Sequence, residues 1–514
     1  MTRPLLALIA LAVLLAVLRL HYLDWPPNRD VTTYSVIARE LLEGEQLYAD
    51  VWDHKPPAVF VTFGLAQAAL GYGPVTLYAL NLIAGLAVLF AVFWAGTASG
   101  MGTGAGLWAA AFWVALSGDL SLQMHDPNAE AFMNVCAVWG FVLLLGSASG
   151  SSRQRAALAG LLFAAATMYK QVMVTVPLAL GLAHIASPPP GVERRSAVGD
   201  VLVIAAIGAG GWLSFFLVMA LSGHLGDVLD VLFYSASYAA DRASVVEKIG
   251  PTGLLSEMWD RFGVVLPLVL LGGVGMLAGL GRGRRGWILL AAYSLGAAAA
   301  IALPGRYYRH YFQLGLPPLV IACGWATVTL RARSSGLSRR LPQLGAAAAL
   351  LYVSVFQVRY YRASAEEMLP RTYAEIYLAT QQLGRELDSL LLAGETLYQW
   401  GSETGLYFFA DRRPPSAILA WPLIRGPLAT GLTSKALQEL QEQPPSIVVV
   451  AHYVADSEPQ HPVLEWTYAN YRPVPALPET LTRHFALFVR RGSPLDTRVN
   501  ANAWSRIREG ARGG

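Results

Sequence analysis

Eight residues of this chain have types and settings that could do chemistry: Asp30, Lys55, Asp126, Glu130, Lys170, Arg306, Arg309 and His310. A carboxylate can take the proton of an acceptor hydroxyl. Arginine grips phosphate oxygens in a two-pronged fork, and cations or a metal stabilise a departing phosphate. Glu130, in "HDPNAEAFMN", lies one turn inside an apolar helix, where a carboxylate costs on the order of 3 kcal/mol unless it is paired or near water. "PGRYYRHYFQLGLPP" sets Arg306, Arg309 and His310 among Tyr307, Tyr308 and Tyr311. Carboxylates, cations and an aromatic rim together are what displacement at a lipid phosphate needs. Plainer roles stand beside these. Asp30 as the N-cap of a helix over 31–43 would contribute about 1 kcal/mol. Lys55, held extended before Pro56-Pro57, could be a snorkelling lysine. Asp126 with Pro127 suits an N-cap and first helical residue. Glu130 could pair structurally with an arginine, and the 306–310 cations could touch anionic lipid.

The elements that must position these residues are mostly apolar helices. The chain has 514 residues, 54% hydrophobic and 14% charged, with mean hydropathy +0.43. A soluble chain would carry roughly a quarter charged residues, so the composition predicts a polytopic membrane protein. A net charge of +4 gives no case for nucleic acid. Cys136 and Cys323 stand in apolar runs without metal or redox spacing and read as buried thiols. Residues 1–25 resemble a signal peptide, but Arg19, His21 and Tyr22 follow the apolar core where a cleavage site would be, so it reads as an uncleaved first span.

Spans are predicted near 4–20, 74–98, 105–118, 128–147, 156–169, 171–187, 198–222, 262–281, 286–304, 311–330 and 343–358, about eleven in all. With that number, Arg3 and the loops bearing Arg153/Arg155, Arg194/Arg195, Arg282/Arg284/Arg285 and Arg331/Arg333/Arg339/Arg340 all fall on the cytoplasmic side. Counting 57–72 as a further span would break that agreement, so 57–72 reads as re-entrant or surface-lying. The charged and aromatic connections, 21–73 and 223–261 among them, then face outward. Apolar residues at helical spacing over 31–43 predict an amphipathic helix on the membrane surface, ended by Gly44. From about 371, strand-length runs ("ETLYQW", "SIVVVA", "FALFVRR") alternate with helical stretches ("YAEIYLATQQLGRELDSLL", "TSKALQELQEQ"). That pattern predicts a small α/β domain on the outer face. The domain reading is 1–358 transmembrane, 359–500 extracytoplasmic and 501–514 tail.

An acid opening the first outer loop, followed by "YADVWDHKPP" at 48–57, resembles the type C integral-membrane glycosyltransferases. The nearest branch is that of the protein O-mannosyltransferases and the lipid A aminoarabinose transferases. "NAEAFMN", the lysine of "MYKQ", "RYYRHYFQLGLPP" and the outer stretch "LYQWGSETGLYFFADRRPPS" carry the resemblance further. The resemblance implies inverting transfer of a sugar from a polyprenyl-phosphate donor to a hydroxyl on a glycan, lipid or protein, at the non-cytoplasmic face of a prokaryotic plasma membrane. It implies Asp30 as base or acceptor-orienting acid. Glu130 or Asp126 would be the second-loop acid that binds a divalent cation such as Mg or Mn or positions the acceptor. Lys55, Lys170, Arg306, Arg309 and His310 would hold the donor phosphate. The lone Asp30 after Arg29, in place of the Asp-Glu pair of the protein O-mannosyltransferases, favours a cell-envelope or glycoprotein role. A flippase or transporter, and a non-catalytic glycan-binding scaffold, are the rival classes. The first expects charge near mid-membrane in two related halves, which this sequence lacks, and the second has no need of Glu130.

Overall fold

The structure, a computed structural model, describes residues 2–146, 152–240, 263–281, 284–372, 375–424, 428–474 and 479–499. The second half of the 223–261 loop, Arg282 and the 501–514 tail lie outside the described residues. Two compact units are formed: residues 1–24, 77–218 and 239–363 make one, and 25–76, 219–238 and 364–514 make the other.

The helices run, in chain order, α1 (Arg3–Leu20), α2 (Arg29–Leu42), α3 (Ala58–Leu70), α4 (Pro74–Ala98), α5 (Thr103–Leu116), α6 (Ala129–Leu145), α7 (Ser152–Tyr169), α8 (Thr175–Ala186), α9 (Arg194–Leu221), α10 (Leu225–Ala240), α11 (Leu266–Leu280), α12 (Arg285–Ala302), α13 (Leu316–Arg333) and α14 (Leu341–Arg362). A helix stands at each predicted span. Among the described residues seven helical segments are long and apolar enough to cross a membrane, and α5, α6 and α8 are shorter apolar helices. The span predicted from 311 opens instead as a tight 3-10 turn, Arg309–Gly315, before α13 begins at Leu316 with Pro317 and Pro318 in its first turn. Short 3-10 geometry also precedes α8, over Gln171–Val174.

Close helix packing in the first unit depends on small residues. A Cβ on Gly324 of α13 would stand 2.3 Å from the Ala105 carbonyl oxygen and 2.8 Å from the Ala109 nitrogen, so α5 and α13 meet backbone to backbone there. Larger side chains fill the neighbouring volume: Trp287 packs edge-on to Trp325 at 5.4 Å, and Phe141 lies against Tyr293 at 5.2 Å.

The second unit joins the first loop to a small sheet domain. α2 begins at Arg29 and α3 is only 13 residues long. At 1.5 Å per residue α3 reaches ~20 Å, short of the ~30 Å a span needs. It packs on α2 instead. Tyr34 sits edge-on to Phe60 and Phe63, and the Gln67 amide donates to the Ser35 carbonyl and hydroxyl, both at 2.9 Å. Several charges of this loop are paired within the unit. Arg413 reaches both Glu40 and Glu45 at 2.6 Å, and Arg39 reaches Asp411 at 2.9 Å.

The sheet has the order β1-β2-β4-β3, with β1 (Leu397–Trp400) parallel to β2 (Ile447–Ala451). β4 (Phe485–Arg490) runs antiparallel to β2 and to β3 (Tyr471–Pro473). Every residue of β1 and β2 is buried, while β4 alternates. Helices α15 (Ala365–Thr372), α16 (Glu375–Leu390), α17 (Gly405–Ala410) and α18 (Ala429–Glu442) accompany the strands. Phe409 of α17 and Gly384 of α16 approach so closely that a Cβ on Gly384 would meet the Phe409 Cβ at 2.5 Å.

Candidate active site

In the first unit, the start of α6 gathers one group. The sequence predicts Asp126 as N-cap and Pro127 as first helical residue; the N-cap is instead Asn128, and the helix begins at Ala129. Asp126 Oδ2 lies 3.3 Å from His125 Nε2. Burial holds the His125 imidazole below its ordinary pKa, against the pull of Asp126. The later start makes Glu130 the second helical residue rather than one a full turn inside. Its side chain is 1% exposed.

Glu130 has a lysine, not an arginine, as its partner. One carboxylate oxygen accepts from the Lys170 ammonium, and the other is buried without a hydrogen bond. Lys170 stands in extended backbone between α7 and the 3-10 turn, its ammonium 4.2 Å over the Tyr311 ring. Tyr311 lies edge-on to His310 at 4.9 Å, and His310 Nδ1 donates to Gln123 Oε1 at 3.1 Å. The Gln313 amide donates to the Leu122 and Gln123 carbonyls, and Asn134 donates to the Gln313 carbonyl at 2.9 Å. Thus the 117–128 loop, the 309–315 turn and α6 are bound into one surface. Arg309 opens that turn and Arg306 lies three residues before it, both half-buried. Two non-glycine residues here are left-handed, Gln123 at φ 56° and Tyr307 at φ 49°. Such conformations cost about 1 kcal/mol or more each and gather at functional sites.

Asp126 and Glu130 as placed do not fit a divalent cation. An ammonium already occupies Glu130, Asp126 faces His125, and among the described residues no group of three or more His, Cys, Asp and Glu is assembled to ligate a metal.

In the second unit, the first turn of α2 carries Asp30. The predicted N-cap at Asp30 is corrected by two positions. Asn28 is the cap, its side chain accepting from the Val31 amide at 3.1 Å, and Asp30 is the second helical residue, half-buried. Both residues are good cap formers; Asn28 has the extended backbone the role requires. The cap role that the sequence offered to Asp30 is thus filled by Asn28.

Lys55 is buried rather than snorkelling. Its ammonium is 3.4 Å from Asp53 Oδ1 and 5.1 Å over the Tyr34 ring, and the same Asp53 oxygen accepts the Lys55 backbone amide at 2.9 Å. The turn is fixed further by Tyr48, left-handed at φ 75°, whose hydroxyl donates to the Lys55 carbonyl at 2.8 Å. Asp53 is missing from the residues expected from sequence. An Asp two positions ahead of the lysine in a turn is the signal that could have found it. Glu403 is also missing. It is 1% exposed, and its carboxyl is pushed above the ordinary carboxylate value by burial, with Arg29 acting the other way.

No family model and no curated protein matches the sequence. Solved structures do. The ArnT of Cupriavidus metallidurans bound to undecaprenyl phosphate aligns over 95% of this chain and 98% of its own, at 14% identity and TM-score 0.62. The archaeal oligosaccharyltransferase AglB of Archaeoglobus fulgidus, in complex with an inhibitory peptide and a dolichol-phosphate, aligns over 96% of this chain and 74% of its own, at 14% identity and TM-score 0.55. An oligosaccharyltransferase from the same organism in complex with Zn and sulfate aligns over 91% and 71%, at 15% identity and TM-score 0.55. The chain has the fold of these membrane glycosyltransferases. The predicted helical membrane architecture with a C-terminal α/β domain is thereby found.

Proposed function

We propose that the chain is a membrane glycosyltransferase. It moves a sugar from a polyprenyl-phosphate donor to a hydroxyl acceptor on the outer face of a prokaryotic plasma membrane. The observation that carries this reading is the group at the start of α6: a lysine held by a buried glutamate and an aromatic ring, with Arg309 and His310 opening the adjoining turn and Arg306 just ahead of it. The fold shared with proteins solved with undecaprenyl phosphate and dolichol-phosphate supports it.

Asp30 takes the acceptor hydroxyl's proton, a role worth roughly 10²–10⁴ in rate. The hydroxyl oxygen attacks the anomeric carbon from the face opposite the phosphate. A new C–O bond forms, the sugar–phosphate C–O bond breaks with inversion, and the electron pair leaves on polyprenyl phosphate. Lys170, Arg306, Arg309 and His310 offset the charge developing on that leaving group, and Lys55 is assigned the same role. Glu130 fixes the Lys170 ammonium in place rather than touching the sugar. Asp126 remains the other acid of the second loop, engaged with His125.

The test is the lipid that accompanies the purified protein. Mass spectrometry is expected to find a polyprenyl phosphate or its glycosylated form, depleted in Arg306→Ala. Phospholipid alone, unchanged by that substitution and by added undecaprenyl phosphate, would overturn the reading.

A further inference from the structure

The loop "GSET", Gly401–Thr404, leaves the carboxyl end of β1 and meets the first turn of α2. Both elements belong to the second unit. The Arg29 carbonyl is the hub of the contact. It accepts from the hydroxyls of Thr33 at 2.7 Å, Thr32 at 3.0 Å and Thr404 at 3.0 Å. The Thr404 hydroxyl also lies 2.8 Å from each of the other two hydroxyls. Three hydroxyls and one carbonyl thus close on one another, and Thr404 is fully buried.

The Arg29 side chain is fastened by the same loop. It donates to the Tyr377 hydroxyl at 3.2 Å and lies 4.0 Å from the Glu403 carboxylate. That carboxylate accepts from the Ser402 amide at 2.8 Å and from the Tyr453 hydroxyl at 3.1 Å. A Cβ on Gly401 would stand 2.5 Å from Glu403 Oε2 and 2.9 Å from the Ala451 Cβ, so a larger residue there would displace the carboxylate or its neighbours. With Asn28 capping, every residue that flanks Asp30 in the turn is held by backbone or side chain, and Asp30 itself stays half-buried.

The geometry points to Glu403 and Thr404 as positioning residues for Asp30, making the α/β domain a working part of the transfer reaction. This inference rests on Asp30 being the base. A displacement of about 1 Å in a reacting group can cost on the order of 10²-fold in rate. The hydroxyl triad is the kind of over-determined contact that limits such displacement, and Thr404→Val removes its third member without changing side-chain volume.

The experiment compares Thr404→Val, Thr404→Ser, Glu403→Gln and Asp30→Asn in lipid nanodiscs. Turnover is read with an undecaprenyl-phosphate hexose and binding with undecaprenyl phosphate. Thr404→Val and Glu403→Gln should each lower kcat about tenfold or more, with binding of undecaprenyl phosphate unchanged. Thr404→Ser should return kcat to the wild-type range. If kcat survives both substitutions while Asp30→Asn is inactive, the positioning role is wrong. If kcat and phosphate binding fall together in both, the loop is merely structural and the inference also fails. Full activity in Asp30→Asn would instead overturn the base assignment beneath it.

Discussion

Removing the Lys170 ammonium should separate its two roles. Glu130 is 1% exposed and Lys170 15%, and one Glu130 oxygen has no other partner to turn to. Lys170→Met therefore strands a buried carboxylate, at a cost of about 3–5 kcal/mol. Glu130→Gln strands the more exposed ammonium and should cost less. The double variant restores neutrality with similar volumes, and should recover most of the stability lost in Lys170→Met. A double-mutant cycle measured by chemical unfolding in nanodiscs should then give a coupling of about 3 kcal/mol. Function should not recover with it. A charge-assisted hydrogen bond to phosphate contributes about 1.5–3 kcal/mol, so undecaprenyl phosphate should bind about 10- to 150-fold more weakly to both Lys170→Met and the double variant. Additive stabilities would show that the pair is not coupled. Wild-type binding of undecaprenyl phosphate by the stable double variant would remove Lys170 from the phosphate site.

Capping can be tested apart from chemistry: Asn28→Ala removes the bond to the Val31 amide and should destabilise by about 1 kcal/mol; an unchanged unfolding midpoint would refute the Asn28 cap. Gly324→Ala should lower stability by about 1–3 kcal/mol or prevent folding, because its Cβ would meet the α5 backbone at 2.3 Å; an unchanged unfolding midpoint would refute that close approach. Burial holds the Glu403 carboxyl above the ordinary 4.5, so between those two values the folded chain binds more protons than the unfolded one. Its contribution to stability therefore falls as pH rises through that window, and Glu403→Gln should flatten this part of a stability–pH profile.

The helices were legible because long apolar runs admit few other readings. The amphipathic face of 31–43 and the short run at 57–72 set these two segments apart from the predicted spans, but that α2 and α3 pack on each other was not legible. β1, β2 and β4 were legible from strand-length apolar runs, whereas β3, three residues with Pro473 at its end, carries too little pattern to be seen. Boundaries failed where two cap formers stood two residues apart. "NRD" and "DPN" each offer both candidates, and which of them caps is decided only in three dimensions. The partners of the site residues were hidden for a related reason. Lys170 lies 40 positions from Glu130, and Thr404 lies 375 from Arg29. No local period records such a pairing. Asp53 is the exception, two residues from Lys55 and readable as a turn.

Sugar transfer by wild-type and Asp30→Asn protein, reconstituted with an undecaprenyl-phosphate sugar and a hydroxyl acceptor, tests the central claim most directly. The wild type should release undecaprenyl phosphate and form the inverted glycoside. Asp30→Asn should bind the lipid equally well and lose about 10²-fold or more of the transfer rate. Transfer at the wild-type rate in Asp30→Asn, or none from the wild type with any polyprenyl-phosphate sugar, would contradict it.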